Sequence, residues 1–249
     1  MHRRSFLTKA LTLGAAFAAS PAAKSTAKAD SIDISQGKGV VISTTKLSPP
    51  ATGGLRVAIP ISKGATVIDF AGPWDVFTSV MIPERGQTMS DQMPFQLLLV
   101  SEKTDPVVVE GGMKVVPDYT FENVPECQIV VVPAQADSKS MQEWLRKIAP
   151  TADVTMSVCV GVEHLANAGL LEKKSATTHH DFYDRFAQDH PGIDLRRGVR
   201  FVENEKISTS GGETCGIDLA LRVVARYFGR DVAARTAKFM EYQGTGWVV

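Results

Sequence analysis

Asp153-Val-Thr-Met-Ser-Val-Cys-Val-Gly161 decides how the rest of the chain is read. Small, apolar and β-branched residues run up to Cys159 in the pattern of a buried strand. After Gly161, Val162-Glu-His-Leu-Ala-Asn-Ala-Gly-Leu-Leu171 carries small and apolar residues along one face of a short helix. A strand that turns sharply into a helix presents the residue at the turn above the carboxyl edge of a parallel sheet. The N–H groups opening the helix point at whatever that residue attacks, and the helix dipole favours a thiolate there. Cys159 is therefore a candidate nucleophile. On position alone an inert core cysteine fits equally well, because free cysteine is among the most buried residue types.

Strands and helices alternate on both sides of this unit. Leu55 to Ile61, Phe95 to Ser101 and Gln128 to Pro133 are apolar runs of strand length. Thr66-Val-Ile-Asp-Phe-Ala-Gly-Pro-Trp-Asp-Val-Phe77 predicts a helix starting at Gly72-Pro73, since proline suits the first helical position. Asp69 then falls in the loop before that helix, at the same sheet edge as Cys159; a turn or capping carboxylate would look the same. Val107 to Pro117 reads as a hairpin turning at Gly111-Gly112, and Ser138 to Ala149 as a helix capped by Ser138. Asp181 to Asp189 is a short helix, and Arg200 to Ser210 a hairpin turning at Glu203-Asn204. Gly211 to Phe228 is a long helix ended by Gly229, with a last helix from Asp231 to about Tyr242. This alternation predicts an α/β fold with a mainly parallel sheet covered on both faces.

With 249 residues the chain can build one such domain. A formal net charge of +0 gives no basis for a nucleic-acid partner. At the N-terminus, His2-Arg-Arg-Ser-Phe-Leu-Thr-Lys9 precedes an apolar run from Ala10 to Ala19. The stretch has the regions of a secretory signal, and Arg3-Arg4-x-Phe6-Leu7 resembles the twin-arginine export signal. Residues 1–29 are read as that signal, with cleavage after Ala27-Lys28-Ala29 or, as an earlier alternative, at Ala16-Phe17-Ala18, and the mature protein is expected in the periplasm or otherwise exported. Cleavage would remove five of the 27 basic residues and none of the 27 acidic ones. The apolar run is too short to span a bilayer, so no membrane association is expected once the signal is removed. Residues 30–54 are polar, with Pro49-Pro50 and Gly53-Gly54, and read as a linker. Cys127, Cys159 and Cys215 are too few for a disulfide framework and match no zinc spacing, so neither metal nor cofactor is expected.

Four blocks together resemble one superfamily, that of DJ-1 and the PfpI proteases. They are Ile68-Asp-Phe-Ala-Gly-Pro-Trp-Asp-Val-Phe77; Ser157-Val-Cys-Val-Gly161 with Ala168-Gly-Leu-Leu171; Ala176-Thr-Thr-His179; and Thr209-Ser-Gly-Gly212 with Gly216-Ile-Asp-Leu-Ala-Leu221. They sit nearest the branch of isonitrile hydratases and the ligand domains of AraC-type regulators. The resemblance implies a flavodoxin-like three-layer sandwich over 55–249, usually a homodimer. It also implies that Cys159 is the nucleophile, Asp69 the acid sharing its proton, and His179 the nearby histidine, acting on a small-molecule substrate. The family usually has Gly-Gly after the central strand, where backbone N–H groups stabilise an oxyanion; Ala134-Gln135 stand there. Val160 replaces the hydratase threonine, so it supplies no hydroxyl. Glu163-His164 replaces apolar residues, with Glu163 expected to face solvent. Cys215 is expected in the core, and His180 and His190 on the surface. Two classes of function follow: a cysteine-dependent hydratase, lyase or hydrolase, or a non-catalytic binding or redox-sensing domain.

Overall fold

The computed structural model describes residues 41–50 and 53–249. The export signal expected over 1–29 lies outside the described residues. The strands are β1 (Leu55–Pro60), β2 (Phe95–Ser101), β3 (Val107–Val108), β4 (Lys114–Val115), β5 (Tyr119–Thr120), β6 (Ile129–Val132), β7 (Val154–Ser157), β8 (Ser175–Ala176), β9 (Asp194–Leu195), β10 (Phe201–Asn204) and β11 (Ile207–Ser210). The helices are α1 (Val67–Thr78), α2 (Met89–Gln92), α3 (Lys139–Ile148), α4 (Val162–Asn167), α5 (Tyr183–Asp189), α6 (Cys215–Phe228) and α7 (Arg230–Phe239).

Seven strands form one sheet in the order β10-β11-β7-β6-β1-β2-β5. Within it only β10 runs antiparallel to its neighbour. Side chains alternate across a strand, and the alternation sorts them into two cores. Val57 and Ile59 of β1 and Ile129 and Val131 of β6 meet Phe77 of α1, Leu219 and Val223 of α6 and Val232 of α7. Ala58, Val130 and Val132 meet Met141 and Leu145 of α3, Leu165 of α4 and Phe186 of α5. Central strands buried on both faces are the reason these segments read as unbroken apolar runs. The result is the three-layer α/β sandwich with a mainly parallel sheet. From β1 the chain steps to β2 on one side, then returns through β6, β7 and β11 on the other. Strand order therefore reverses at β1 and β6, and a crevice opens at such a point outside the carboxyl ends of the strands.

Three local expectations are corrected. Helix α1 starts at Val67, so Pro73 lies inside it and Asp69 occupies its first turn rather than a loop. Gly72 answers to packing: a Cβ there would fall 3.0 Å from Ile217 Cγ1 of α6. Second, the β10–β11 hairpin turns at Glu205-Lys206, with Glu205 at φ 52. Glu203 stays inside β10 at 1% exposure, neutralised by Arg222 Nε (3.0 Å) and Arg226 Nη1 (3.2 Å). A buried carboxylate is tolerated only with such partners, and both come from α6. Third, the polar extension is not a free linker between Val41 and Leu47. The Glu203 N–H donates to the Val41 carbonyl (2.8 Å), the Ser43 N–H to Glu203 Oε2 (3.1 Å), and the Leu47 N–H to the Arg226 carbonyl (3.0 Å). Arg222 and Arg226 in turn donate to the carbonyls of Ser43 (2.7 Å) and Thr45 (3.1 Å). The segment lies along the β10 edge because the Glu203 ion pairs also present its hydrogen-bonding partners.

Candidate active site

Four neighbouring strands, β11, β7, β6 and β1, deliver the site residues to one edge. Strand β7 ends at Ser157, and Cys159 follows at φ 59, the left-handed region that a side chain occupies at a cost of about 1–3 kcal/mol. The surroundings impose this backbone. The Val158 N–H donates to the Val132 carbonyl (3.0 Å), the Cys159 N–H to the Gly211 carbonyl (3.0 Å), and Thr178 Oγ1 to the Cys159 carbonyl (3.2 Å). Gly161 completes the turn because a Cβ there would lie 2.2 Å from the Val132 carbonyl oxygen.

Asp69 is fully buried. Its Oδ2 accepts the Ala134 N–H at 3.1 Å, and its Oδ1 has no partner among the described residues. Burial pushes the carboxyl up to about 7, aided by the Glu213 and Glu110 carboxylates and opposed by the Ala134 and Glu213 amides. Cys159 is 8% exposed. Burial and then the Asp69 charge push its thiol up to about 12, against the backbone N–H groups of Val160 and Glu213 directed at the sulfur. The resting thiol therefore shifts the opposite way from a cysteine governed by a helix dipole. The turn at Cys159–Gly161 and the six-residue α4 make only a weak dipole, and burial outweighs it.

Of the expected oxyanion residues, the Ala134 N–H is taken by Asp69, and Gln135 is fastened by its side chain. Ala134 orients Asp69. The Gln135 side chain accepts the Ser62 N–H (2.5 Å) and donates to the Pro60 carbonyl (2.9 Å), fastening the loop after β6 to the end of β1. His179 borders the site through Gly212, where a Cβ would meet its Cδ2 at 2.2 Å. Its Nδ1 accepts the Asp181 N–H (3.2 Å), and its ring stacks on His180 with centroids 4.4 Å apart. His179, His180 and Asp181 are the group among the described residues whose ligand atoms all lie within 4.8 Å of one another, the latter two residues being exposed. A cavity of about 350 Å³ opens on the same sheet edge, lined by Ile61, Ser62, Lys63 and Ser101 among others.

Several neighbours carry more than the sequence suggested. Glu213 sits at φ 48 in the turn before α6. The pattern Gly211-Gly212-Glu213-Thr214 between a strand and a helix was the available signal. His164 is buried and bonds Asp137 Oδ1 through Nδ1 (3.1 Å), which ties α4 to the loop after β6. Burial pushes its pKa down, although Asp137 opposes. Glu163 pairs with His190 at 2.7 Å, so both are half-buried partners and neither is a free surface group. Cys215 is only partly buried, and its Sγ lies 3.1 Å from where a Cβ on Gly211 would be.

A doubly wound α/β sandwich with a strained cysteine at a strand-to-helix elbow and a buried carboxyl beside it defines a class of cysteine-elbow proteins. The model of the DJ-1/PfpI family matches residues 55–226, and the chain belongs to that family. It is 31% identical over 181 residues to isonitrile hydratase of Pseudomonas putida, covering 70% of this chain and 73% of that protein. It is 26% identical over 167 residues to the HTH-type transcriptional regulator CdhR of Pseudomonas aeruginosa. That match covers 65% of this chain and 49% of the regulator. A crystal structure of a ThiJ/PfpI family protein from Pseudomonas syringae superposes with a TM-score of 0.67 at 26% identity, covering 78% of this chain and 77% of that one. Among the described residues no helix is long and apolar enough to cross a membrane.

Proposed function

We propose that the protein is an exported, homodimeric enzyme that uses Cys159 on a small electrophile in the manner of an isonitrile hydratase. The observation that carries this reading is Asp69: fully buried, raised to about 7, with Oδ1 unpartnered and its charge felt at the Cys159 thiol. A group poised near neutral pH both accepts and returns a proton efficiently. In the proposed cycle Asp69 takes the thiol proton as sulfur bonds to the isonitrile carbon, then delivers it to give a thioimidate. Water adds to that carbon, the C–S bond breaks, and the N-substituted formamide leaves with the thiol restored. The Val160 and Glu213 amides hold negative charge on the sulfur while it is ionised. His179 borders the site as a positioning residue. Turnover of aliphatic isonitriles, with 2-oxoaldehydes and simple amides as alternatives, tests the reading. Wild type should turn over one of these classes, and Cys159→Ser and Asp69→Asn should lose at least about 100-fold; equal activity in all three proteins sinks it.

A second reading is favoured by one observation. The Ala134 amide is held by Asp69, so the loop that carries Gly-Gly in related enzymes has one fewer donor for an oxyanion. A ligand-binding or redox-sensing domain fits that loss, and the regulator CdhR is a relative. Stoichiometric Cys159 modification without turnover selects it. Export is supported by Arg3-Arg4-x-Phe6-Leu7 and its apolar run. Replacing Arg3 and Arg4 by Lys should retain an unprocessed precursor in the cytoplasm. Light scattering at micromolar concentration checks the dimer, which a purely monomeric protein contradicts.

A further inference from the structure

We infer that the approach to Cys159 selects by charge, admitting cationic electrophiles best, neutral ones next and anionic ones poorly. The inference rests on the reading of Cys159 as nucleophile and adds the substrate class. Two exposed carboxylates flank the site, one beside the start of α1 and one just before α6. Glu110 stands on the turn between β3 and β4. Its Oε2 accepts the Val67 N–H (3.1 Å) and its own N–H donates to the Ala65 carbonyl (3.0 Å). That fixes it over the start of α1, one turn from Asp69. Glu213 stands in the left-handed turn after β11, two residues past the Gly211 carbonyl that holds the Cys159 N–H. Between them, Asp69 Oδ1 is fully buried without a partner and is the group left to meet a ligand.

Of the nearby bases, the exposed Lys63 after β1 offsets part of this charge and leaves the approach net negative. Arg200, beside Cys215, is ion-paired to the buried Asp218. His179 keeps Nδ1 as an acceptor for the Asp181 N–H and is flanked by the Asp181 carboxylate at 3.8 Å. The charged side chains that act most strongly on Asp69 are Glu213 and Glu110, in agreement with this geometry. A net negative charge at the approach to a site attracts a cation and repels an anion, and the effect weakens as salt screens it.

The test measures second-order rates at Cys159 with three methanethiosulfonates of similar reactivity: trimethylammonioethyl (cationic), methyl (neutral) and sulfonatoethyl (anionic). Peptide mass mapping separates Cys159 from Cys127 and Cys215, and each rate is divided by that of free 2-mercaptoethanol. The cation-to-anion ratio at Cys159 should exceed that of the free thiol by about tenfold at low salt. It should fall toward the free-thiol value in high salt and in the Glu110→Gln/Glu213→Gln double variant. A ratio equal to that of the free thiol, or one unmoved by the double variant, overturns charge selection while leaving Cys159 a nucleophile. If Cys159 reacts with none of the three in the folded protein but with all in the unfolded chain, the nucleophile reading falls and charge selection falls with it.

Discussion

The Ala134 N–H donates to Asp69 Oδ2 at 3.1 Å, and that bond fixes a carboxyl whose other oxygen has no partner among the described residues. The Ala134 and Glu213 amides do not compensate the loss of water around a buried carboxylate, so the neutral acid is favoured below about pH 7 and the ionised base above it.

Stability should record this. The folded carboxyl titrates at about 7 against an ordinary value of 3.8. Between those values the folded state holds a proton that the unfolded chain has lost, so Asp69 lowers stability progressively as pH rises from about 4 to 7. The loss amounts to about 4 kcal/mol and is fully present above pH 7. Asp69→Asn keeps an acceptor for Ala134 and removes the charge. Urea unfolding at pH 5 and pH 8 should show a variant-minus-wild-type gain that grows with pH; a constant difference refutes the assignment.

Gly161 has no slack. Its Cβ would meet backbone at 2.2 Å, the Val132 carbonyl oxygen of the central strand, rather than a side chain that can swing away. Gly161→Ala should cost about 3 kcal/mol by overpacking and displace Cys159. Gly212→Ala meets only the His179 ring, which can rotate. The second variant should keep near-normal thermal stability and lose activity through a displaced His179. Calorimetry of the two variants distinguishes them, and equal melting temperatures would contradict the difference.

The elbow was legible because three facts lie in one stretch: an apolar run, a cysteine and a glycine that a neighbouring strand requires. The two-sided burial of β1 and β6 was legible for the same reason, as unbroken apolar runs. Helix α1 was misplaced because Pro73 usually marks a first turn, whereas here it replaces an internal N–H. Ala134 was assigned to the substrate because its position relative to β6 is encoded, but the direction of its N–H is set by Asp69, 65 residues away. Glu203 read as a turn residue because its neutralising arginines lie on another element. Long-range pairing of charges leaves no periodic trace in a single sequence, and the same gap hid the docking of Val41 to Leu47.

That docked segment gives the third expectation. Glu203 accepts from Arg222, Arg226 and the Ser43 amide, and two of the three partners lie on α6. Replacing Glu203 by Ala leaves Arg226 buried without its counter-charge, which should cost roughly 3–5 kcal/mol. Because Ser43 loses its acceptor too, limited proteolysis should cut between Val41 and Leu47 in the variant before the core unfolds. Cleavage there at equal rates in wild type and variant would show that the segment is held by other contacts.

The last expectation concerns the thiol. Cys159 is pushed up to about 12 and Cys127 to about 11, so ionisation alone predicts sluggish reagents at both sites near neutral pH. The two differ in partners: Cys159 has the Asp69 carboxyl and the Val160 and Glu213 amides, whereas the nearest charge acting on Cys127 is Arg56. If Asp69 accepts the proton as sulfur attacks, the rate at Cys159 depends on the ionised carboxylate and rises as pH passes about 7. The rise belongs to the coupled pair, not to either group alone. The rate at Cys127 should instead climb only in alkaline solution. Iodoacetamide or dilute peroxide, with each cysteine followed by peptide mass, should find Cys159 first, advancing from thiol to sulfinic acid under peroxide. Asp69→Asn removes the base and also the like charge, so its thiol titrates lower than in wild type yet reacts only by its own ionisation. At pH 7.5 the variant should be about 100-fold slower, with its profile moved to alkaline pH. Superimposable profiles for wild type and Asp69→Asn would mean that the carboxyl takes no proton from Cys159. A Cys159 that stays untouched while Cys127 or Cys215 reacts would make it the inert core cysteine that its position alone also allows.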